Sequence, residues 1–107
     1  MYEDVLQLFQ DVCDDCSNSD VTFTCYSSES RPVFEITAEA GSLDLGSLMV
    51  DFDEDKLSKG DSTIIRYYLE SATLSGQRDI DKYSKAIPQF LELSDILFVE
   101  YQRTFAR

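Results

Sequence analysis

The sequence contains no histidine and no tryptophan in its 107 residues. Without histidine, the chain can form neither a Ser-His or Cys-His nucleophile pair nor an imidazole metal site. Its longest apolar run covers four residues, 96–99, which is far too short to span a bilayer. These absences predict a protein that is not an enzyme, has no membrane segment and needs no cofactor.

Basic residues are also scarce, and the few present are unevenly placed. The chain has 21 Asp and Glu against 9 Lys and Arg, a formal charge of −12. Residues 1–55 hold 14 acids and the single base Arg31, a balance of −13. Residues 56–107 hold seven acids and eight bases, a balance of +1. A surface this negative repels phosphate backbones, which disfavours nucleic-acid binding, while the asymmetry predicts a directed acidic face.

Length and composition predict one domain over residues 1–107, because 43% hydrophobic residues suffice for a single core. The three cysteines, an odd number, fit a reducing cytosol better than a secreted disulfide framework. The first four residues lack the basic start of a secretion signal. We therefore expect a cytoplasmic protein; if it is exported, Cys25 can instead form a disulfide with Cys13 or Cys16.

The first half of the chain shows a helical pattern followed by strand patterns. Apolar residues at helical spacing predict an amphipathic helix over residues 3–16. Alternation then predicts strands over residues 21–26 and 33–40, with acids such as Glu35 and Glu39 facing outward. A third run begins after Gly41, and its alternation changes phase near Gly46, where we expect a bulge or a turn. This region is predicted to form an antiparallel meander of three to four strands.

The second half is predicted to be helical. Asp61 or Ser62 can cap a helix that ends before Gly76. The apolar positions of that helix would be Ile64, Ile65, Tyr68, Leu69 and Ala72. Asp79 can cap a short helix, and Pro88 suits the first turn of a last helix. The predicted fold is therefore α+β: an N-terminal helix, the meander, and two to three C-terminal helices packed on one face of the sheet.

Two motifs suggest metal or redox chemistry, and both fit poorly. Cys13 and Cys16 have CxxC spacing, but they close a helix among acids, and Cys25 brings the thiolates only to three. Residues 51–55 resemble the start of a calcium loop, yet Lys56 stands where the loop needs glycine. We therefore expect buried structural cysteines, a solvated acidic turn and no metal.

In size, acidity and lack of catalytic groups, the chain is similar to bacterial immunity proteins that neutralise toxin nucleases. It is also similar to phage anti-defence proteins that mimic DNA. The resemblance is one of composition and implies a non-catalytic inhibitor of a basic protein, such as a nuclease toxin or another nucleic-acid-binding protein. A nearly neutral second half favours the immunity-type inhibitor over the DNA mimic, which would carry rows of charge over much of its surface.

The predicted partner-binding residues are acids of the first half, which would pair with Lys and Arg of the partner. They are Asp4, Asp11, Asp14, Asp15, Glu35, Glu39, Asp51, Asp53, Glu54 and Asp55. The alternative from another class is a structural or adaptor module that forms a homodimer through its C-terminal helices, because the consecutive apolar residues 96–99 need cover on more than one side.

Overall fold

The computed structural model describes residues 1–28, 32–70 and 74–106. Its helices and strands follow one another as α1 (Tyr2–Cys16), β1 (Thr22–Ser27), β2 (Val33–Ala40), β3 (Leu43–Asp51), α2 (Glu54–Lys59), a 3-10 turn (Ser62–Ile64), β4 (Ile65–Leu69) and α3 (Gly76–Phe105). The predicted α+β architecture is confirmed: an N-terminal helix, an antiparallel sheet, and a C-terminal helix packed against it.

The sheet is a four-stranded antiparallel meander in the order β1-β2-β3-β4. Alternation along the strands gives it two unlike faces. On the inner face, residues such as Phe34 and Ile36 are fully buried, whereas their neighbours Glu35 and Thr37 are only half-buried. Because one face of the sheet is buried, the alternation of apolar and polar residues decides which side chains meet the helices.

Helices α1 and α3 cover the inner face, with α1 lying beside β1 and α3 crossing β2 and β3. In α1, Val5, Phe9, Val12 and Cys13 recur at helical spacing and are all buried. The helix ends at Cys16, and Ser17, which follows it, donates both its backbone amide (3.0 Å) and its hydroxyl (2.7 Å) to the Cys13 carbonyl. The apolar stripe of α1 therefore seals one side of the core.

The same core contains the inward residues of α3, among them Phe90, Leu93, Leu97 and Tyr101. Aromatic rings pack together at one end of the core, where the ring of Phe34 stacks on the ring of Tyr2 at a centroid distance of 4.7 Å. No polar or charged side chain is fully buried in the described part of the chain. Stability thus depends on apolar packing from both helices onto one sheet face.

The phase change near Gly46 is a β-bulge, as predicted. The register between β2 and β3 shifts between Ala38 and Glu39, opposite Gly46 and Asp44. Gly46 has φ +122°, and a Cβ there would lie 1.9 Å from the Tyr68 carbonyl oxygen, so only glycine fits. The bulge lets residues on both sides of it bury their side chains in the core.

The predicted helix from Asp61 towards Gly76 is wrong. Asp61 caps only the 3-10 turn, by accepting from the Thr63 amide, and the chain then forms β4. Ile65 and Tyr67 pack against the core from one strand face, while Tyr68 is exposed on the other. Ala72 of the predicted helix lies outside the described residues.

The predicted break between two last helices is also wrong, since α3 is one helix of 30 residues with Pro88 inside it. Asp79 does not begin a helix but lies in the first turn, where its carboxylate accepts from the Ser75 amide. Proline removes the donor for the Ser84 carbonyl. Ser84 and Pro88 are both exposed, so water can satisfy that carbonyl and the helix continues. In the described segments, no helix is both long and apolar enough to cross a lipid bilayer.

Candidate protein-binding surfaces

The ten acids predicted to bind a partner do not form one surface. Glu35, Glu39 and Asp51 lie on the sheet face opposite the helices. Asp4, Asp11, Asp14 and Asp15 are exposed on α1, in the helical layer. Asp53, Glu54 and Asp55 surround the start of α2. Their role in binding stays a prediction, and the structure divides them into three groups with different surroundings.

The open face of the sheet, which neither helix covers, is mainly polar. Its side chains alternate with the buried ones along every strand. They are Thr22, Thr24 and Tyr26 of β1, Glu35, Thr37 and Glu39 of β2, Asp44, Ser47, Met49 and Asp51 of β3, and Arg66 and Tyr68 of β4. Antiparallel sheets commonly leave one face to water, so this face is available for contact without disturbing the core.

Four carboxylates meet at one end of the open face, in a hollow of about 200 Å³ that we call the acidic hollow. It is lined by Glu35, Thr37, Glu39, Asp44, Gly46, Ser47, Tyr68 and Glu70. No described base lines it. Tyr68 is 55% exposed at its border. The hollow therefore presents four negative charges beside an exposed aromatic ring.

Local hydrogen bonds fix the shape of the acidic hollow. Asp44 lies before the bulge, and its Oδ1 accepts from the Gly46 amide at 2.9 Å, which holds this carboxylate at the border. The Glu70 amide donates to the Leu45 carbonyl at 3.2 Å, which extends the β3–β4 pairing by one residue. The carboxylates of the hollow thus project from paired backbone and not from loose loops.

Asp51 is neutralised where it lies on the open face. Its two carboxylate oxygens accept from the Arg66 guanidinium at 3.0 and 3.1 Å, a bidentate pair. Hydrogen bonds and charge from Asp51 raise the pKa of Arg66. This pair engages both carboxylate oxygens of Asp51, so Asp51 contributes no free charge for a partner.

The acids around α2 have mainly structural partners. Asp53 is the N-cap of α2, and its Oδ1 accepts from the Lys56 amide at 3.1 Å. Asp55 pairs with Lys59 one turn later at 3.1 Å. Capping by aspartate and an i,i+4 ion pair are ordinary helix-stabilising contacts. Of this group, Glu54 alone forms no side-chain hydrogen bond or ion pair with a described residue. The acids of residues 51–55 that do have partners form a helix cap and two ion pairs.

Two acids of α1, Asp11 and Asp15, border a groove between α1 and α3. They lie opposite Glu100 and Arg103 of α3, which pair with each other at 3.2 Å. The apolar residues 96–99 divide at this place: Leu97 and Phe98 are buried, whereas Ile96 and Val99 are 36% and 50% exposed. Packing within the monomer thus buries two of these four residues. Self-association through α3, the alternative function, stays a prediction.

The three cysteines are free thiols. Cys13 and Cys25 are buried in contact, and the hydrogen bond between them, together with burial, raises the pKa of Cys13 far above its usual value. Burial and the charges of Asp15 and Glu100 raise the pKa of Cys16. All these effects disfavour the thiolate, which is the reactive and metal-binding form. Within the residues that the structure describes, no three Cys, Asp or Glu side chains gather closely enough to hold a metal ion.

Sequence analysis missed two of the four acids of the acidic hollow, Asp44 and Glu70, and also its tyrosine, Tyr68. Asp44 could have been found, because it lies between the inward residues Leu43 and Leu45 and must face outward. Tyr68 and Glu70 were missed because their strand was interpreted as a helix.

No protein-family model, curated protein or solved structure matches the chain.

Proposed function

We propose that the protein is a non-catalytic acidic inhibitor that binds and neutralises a basic protein, with the acidic hollow at the centre of the interface. The observation that carries this proposal is the convergence of four carboxylates and an exposed tyrosine, with no described base, on a sheet face that the helices leave uncovered. Four like charges held together repel one another in the free protein. A cation from a partner relieves that repulsion.

The chemistry of the hollow suits a guanidinium or ammonium group. Carboxylates accept charge-assisted hydrogen bonds from arginine, often with two bonds at once. The ring of Tyr68 offers a cation a second contact, through its face, and tyrosine and arginine are the residue types most often found at the energetic centres of interfaces. One long basic side chain of the partner would therefore anchor in the hollow, while the hydroxyl-bearing row of Thr24, Thr37 and Ser47 contacts its surroundings.

A partner that acts on nucleic acid fits this surface best, because such proteins present basic clefts to phosphate. The exposed acids of α1 add to the field that attracts a basic protein and so speed association. We favour an immunity-type inhibitor over a DNA mimic. A mimic needs carboxylates in rows like phosphates, whereas the free acids of the open face converge on one hollow and Asp51 is paired with Arg66. We place the protein in the cytoplasm, which the three free thiols support.

The proposal is tested by affinity capture from source cells at low and moderate salt with three forms of the protein. The first is unchanged, the second carries Glu39→Gln and Asp44→Asn in the hollow, and the third carries Asp4→Asn and Asp14→Asn on α1. The two variants lose equal charge, so generic attraction falls equally in both. We expect the unchanged protein and the α1 variant to retain one basic protein and to inhibit its activity.

The hollow variant should lose that partner at moderate salt and should no longer inhibit it. Removing charge from a contact changes the dissociation rate, whereas removing it elsewhere changes mainly the association rate. If both variants weaken binding to the same extent, the hollow is not the contact. If only scattered basic proteins bind and all of them elute with salt, the inhibitor proposal fails, and size measurements of the protein alone then test self-association through α3.

A further inference from the structure

A cluster of three bases lies on the other side of the sheet from the acidic hollow. A cleft of about 320 Å³ opens between the first half of α3, the turn from β2 to β3 and the loop from α1 to β1. We call it the basic cleft. Its lining is Ser19, Asp20, Ala40, Gly41, Arg78, Asp81, Lys82 and Lys85. Three of the chain's nine bases thus meet in one place.

These three bases have no carboxylate partner among the described residues. Within residues 1–28, 32–70 and 74–106, none of Arg78, Lys82 and Lys85 forms an ion pair, although acids outnumber bases more than twofold in the sequence. Asp20 and Asp81 line the same cleft, yet neither lies within ion-pair distance of a base. Asp81 instead accepts from the Gln77 amide group at 2.8 Å.

Placing the bases here is unfavourable to the free protein in two ways. Arg78, Lys82 and Lys85 are spaced by four and three residues, so they are like-charged neighbours on one side of α3. Arg78 also lies in the first turn of α3, the end of a helix where the dipole favours acids and disfavours bases. Residues that oppose local stability in this way are often retained for a function, and a bound anion would relieve both costs.

The backbone around the cleft leaves room for a compact ligand. Gly41 occupies the turn with φ +62°, and the Lys82 ammonium lies 3.4 Å from the position a Cβ of Gly41 would take. Since glycine has no side chain, the ammonium can approach the turn directly. Ser19 brings a hydroxyl to the opposite wall, and hydroxyl and ammonium groups are common donors to phosphate oxygens.

We propose that the basic cleft binds the phosphate group of a small hydroxylated molecule, such as a sugar phosphate. The three bases contact the phosphate, and Asp20 and Asp81 accept from the hydroxyl groups of the ligand. A nucleic-acid strand is disfavoured because the formal charge of −12 repels an extended phosphate chain, whereas a single phosphate inside the cleft is screened from distant acids beyond about 8 Å at physiological salt. The proposal is independent of the proposed inhibitor function, since the basic cleft and the acidic hollow lie on opposite faces of the sheet.

The test is a titration followed by two-dimensional NMR of backbone amides, at constant ionic strength balanced with sodium chloride. The probes are inorganic phosphate, glucose 6-phosphate and glucose. We expect saturable shifts of the Ser19 and Gly41 amides with both phosphates, tighter binding of the sugar phosphate, and no shift with glucose. Tighter binding of inorganic phosphate than of glucose 6-phosphate would overturn the proposal that the ligand carries hydroxyl groups. Shifts that do not saturate, or that sodium chloride reproduces, would overturn the site.

Two variants decide whether the bases carry the binding. Lys82→Gln removes one charge-assisted contact from the centre of the cleft and should weaken glucose 6-phosphate binding about tenfold. Lys56→Gln, on α2 and outside the cleft, removes the same charge and should leave the affinity unchanged. Both side chains are at the surface, and circular dichroism checks that both variants fold. Equal affinities for the two variants would overturn the proposal, as would a Lys82→Gln variant that binds like the unchanged protein.

Discussion

The two faces of the sheet come from the same four strands, yet different constraints act on them. On the inner face, side chains of β2 such as Phe34 and Ile36 are completely buried under α1 and α3. On the open face, their neighbours Glu35 and Glu39 have no ion pair with any described residue. The inner face is determined by packing, whereas Glu35 and Glu39 of the open face add repulsion without an ion pair that stabilises the fold. That difference identifies the open face as the side on which binding residues can be placed.

Phe34→Ala and Glu35→Gln should show the largest difference between the two faces in the free energy of unfolding. Phe34 is fully buried and packs against the rings of Tyr2, Phe9 and Phe52, with centroids 4.7, 5.2 and 5.9 Å away. Its truncation should lower the free energy of unfolding by about 3–5 kcal/mol, through lost burial and the cavity left behind. Glu35→Gln should change it by less than about 0.5 kcal/mol. Urea unfolding followed by circular dichroism measures both, and similar losses would contradict the division between faces.

The bulge at Gly46 keeps the apolar residues of β3 on the inner face along the whole strand. We therefore expect Gly46→Ala to have the next largest effect on the free energy of unfolding. The new Cβ would meet the Tyr68 carbonyl, and the φ of +122° is strained for alanine. We expect a loss of more than about 2 kcal/mol in unfolding free energy. Gly76→Ala is the matched control, because Gly76 has φ +80° but no atom within 4 Å of its Cβ position. Its cost should be limited to backbone strain, about 1–2 kcal/mol. If Gly76→Ala costs as much as Gly46→Ala, the close approach of β3 to β4 is not what requires glycine.

The buried thiol of Cys13 should make the protein less stable in alkali. The pKa of Cys13 is raised in the folded protein, so above about pH 8.5 the thiol ionises only after unfolding. This contribution to stability is complete below about pH 8.5 and falls by about 1.4 kcal/mol for each pH unit above it. The variant Cys13→Ala should be less stable at neutral pH but should show a shallower alkaline decline in urea unfolding. Equal slopes for the two proteins would contradict the burial of this thiol.

The smallest effect is expected from a pair of neighbouring tyrosines on opposite faces of β4. The Tyr67 hydroxyl donates to the carbonyls of Phe90 and Leu91 at 3.2 Å each, whereas Tyr68 is exposed beside the acidic hollow. Tyr67→Phe should cost about 0.5–1.5 kcal/mol in unfolding free energy. Tyr68→Phe should cost almost nothing and should affect partner binding instead. Thermal unfolding of both variants checks this, and a larger loss for Tyr68→Phe would reverse the assignment of faces.

Alternation and helical periodicity predicted the first half of the fold well, because there each element buries one clear face. The strand over residues 33–40 was predicted with the bounds it has, and the bulge at Gly46 was one of the two alternatives predicted there. The fourth strand was missed because Ile64, Ile65, Tyr68 and Leu69 also satisfy helical spacing. Their β-branched and aromatic character favours a strand, and pairing with β3 decided between the two interpretations.

The last helix and the binding surfaces show where sequence reasoning stops. Proline is common in the first turn of a helix, but Pro88 is exposed, so water can satisfy the carbonyl that lacks a donor and the helix continues beyond Pro88. Charge counting found the acidic half of the chain, yet it could not show that Asp51 pairs with Arg66 or that Asp44 and Glu70 approach Glu39. Those facts depend on strand register between segments far apart in sequence. The basic cleft was hidden for the same reason, since Lys82 meets Gly41 only after folding.

The two outer edges of the sheet differ in a way that limits how copies of the protein could join. Along β1, side chains from α1 and the loop after it occupy the edge: Ser17 Oγ accepts from the Phe23 amide at 2.9 Å, and Gln10 donates to the Cys25 carbonyl at 3.4 Å. Along β4, Tyr67 and Leu69 turn their backbone groups outward, and these groups have no hydrogen-bond partner among the described residues, whereas the Ile65 amide donates to the Ser62 carbonyl. Edge-to-edge pairing of sheets into a fibril requires two open edges on every copy. With one edge already occupied, pairing between β4 strands closes into a two-fold dimer and cannot propagate.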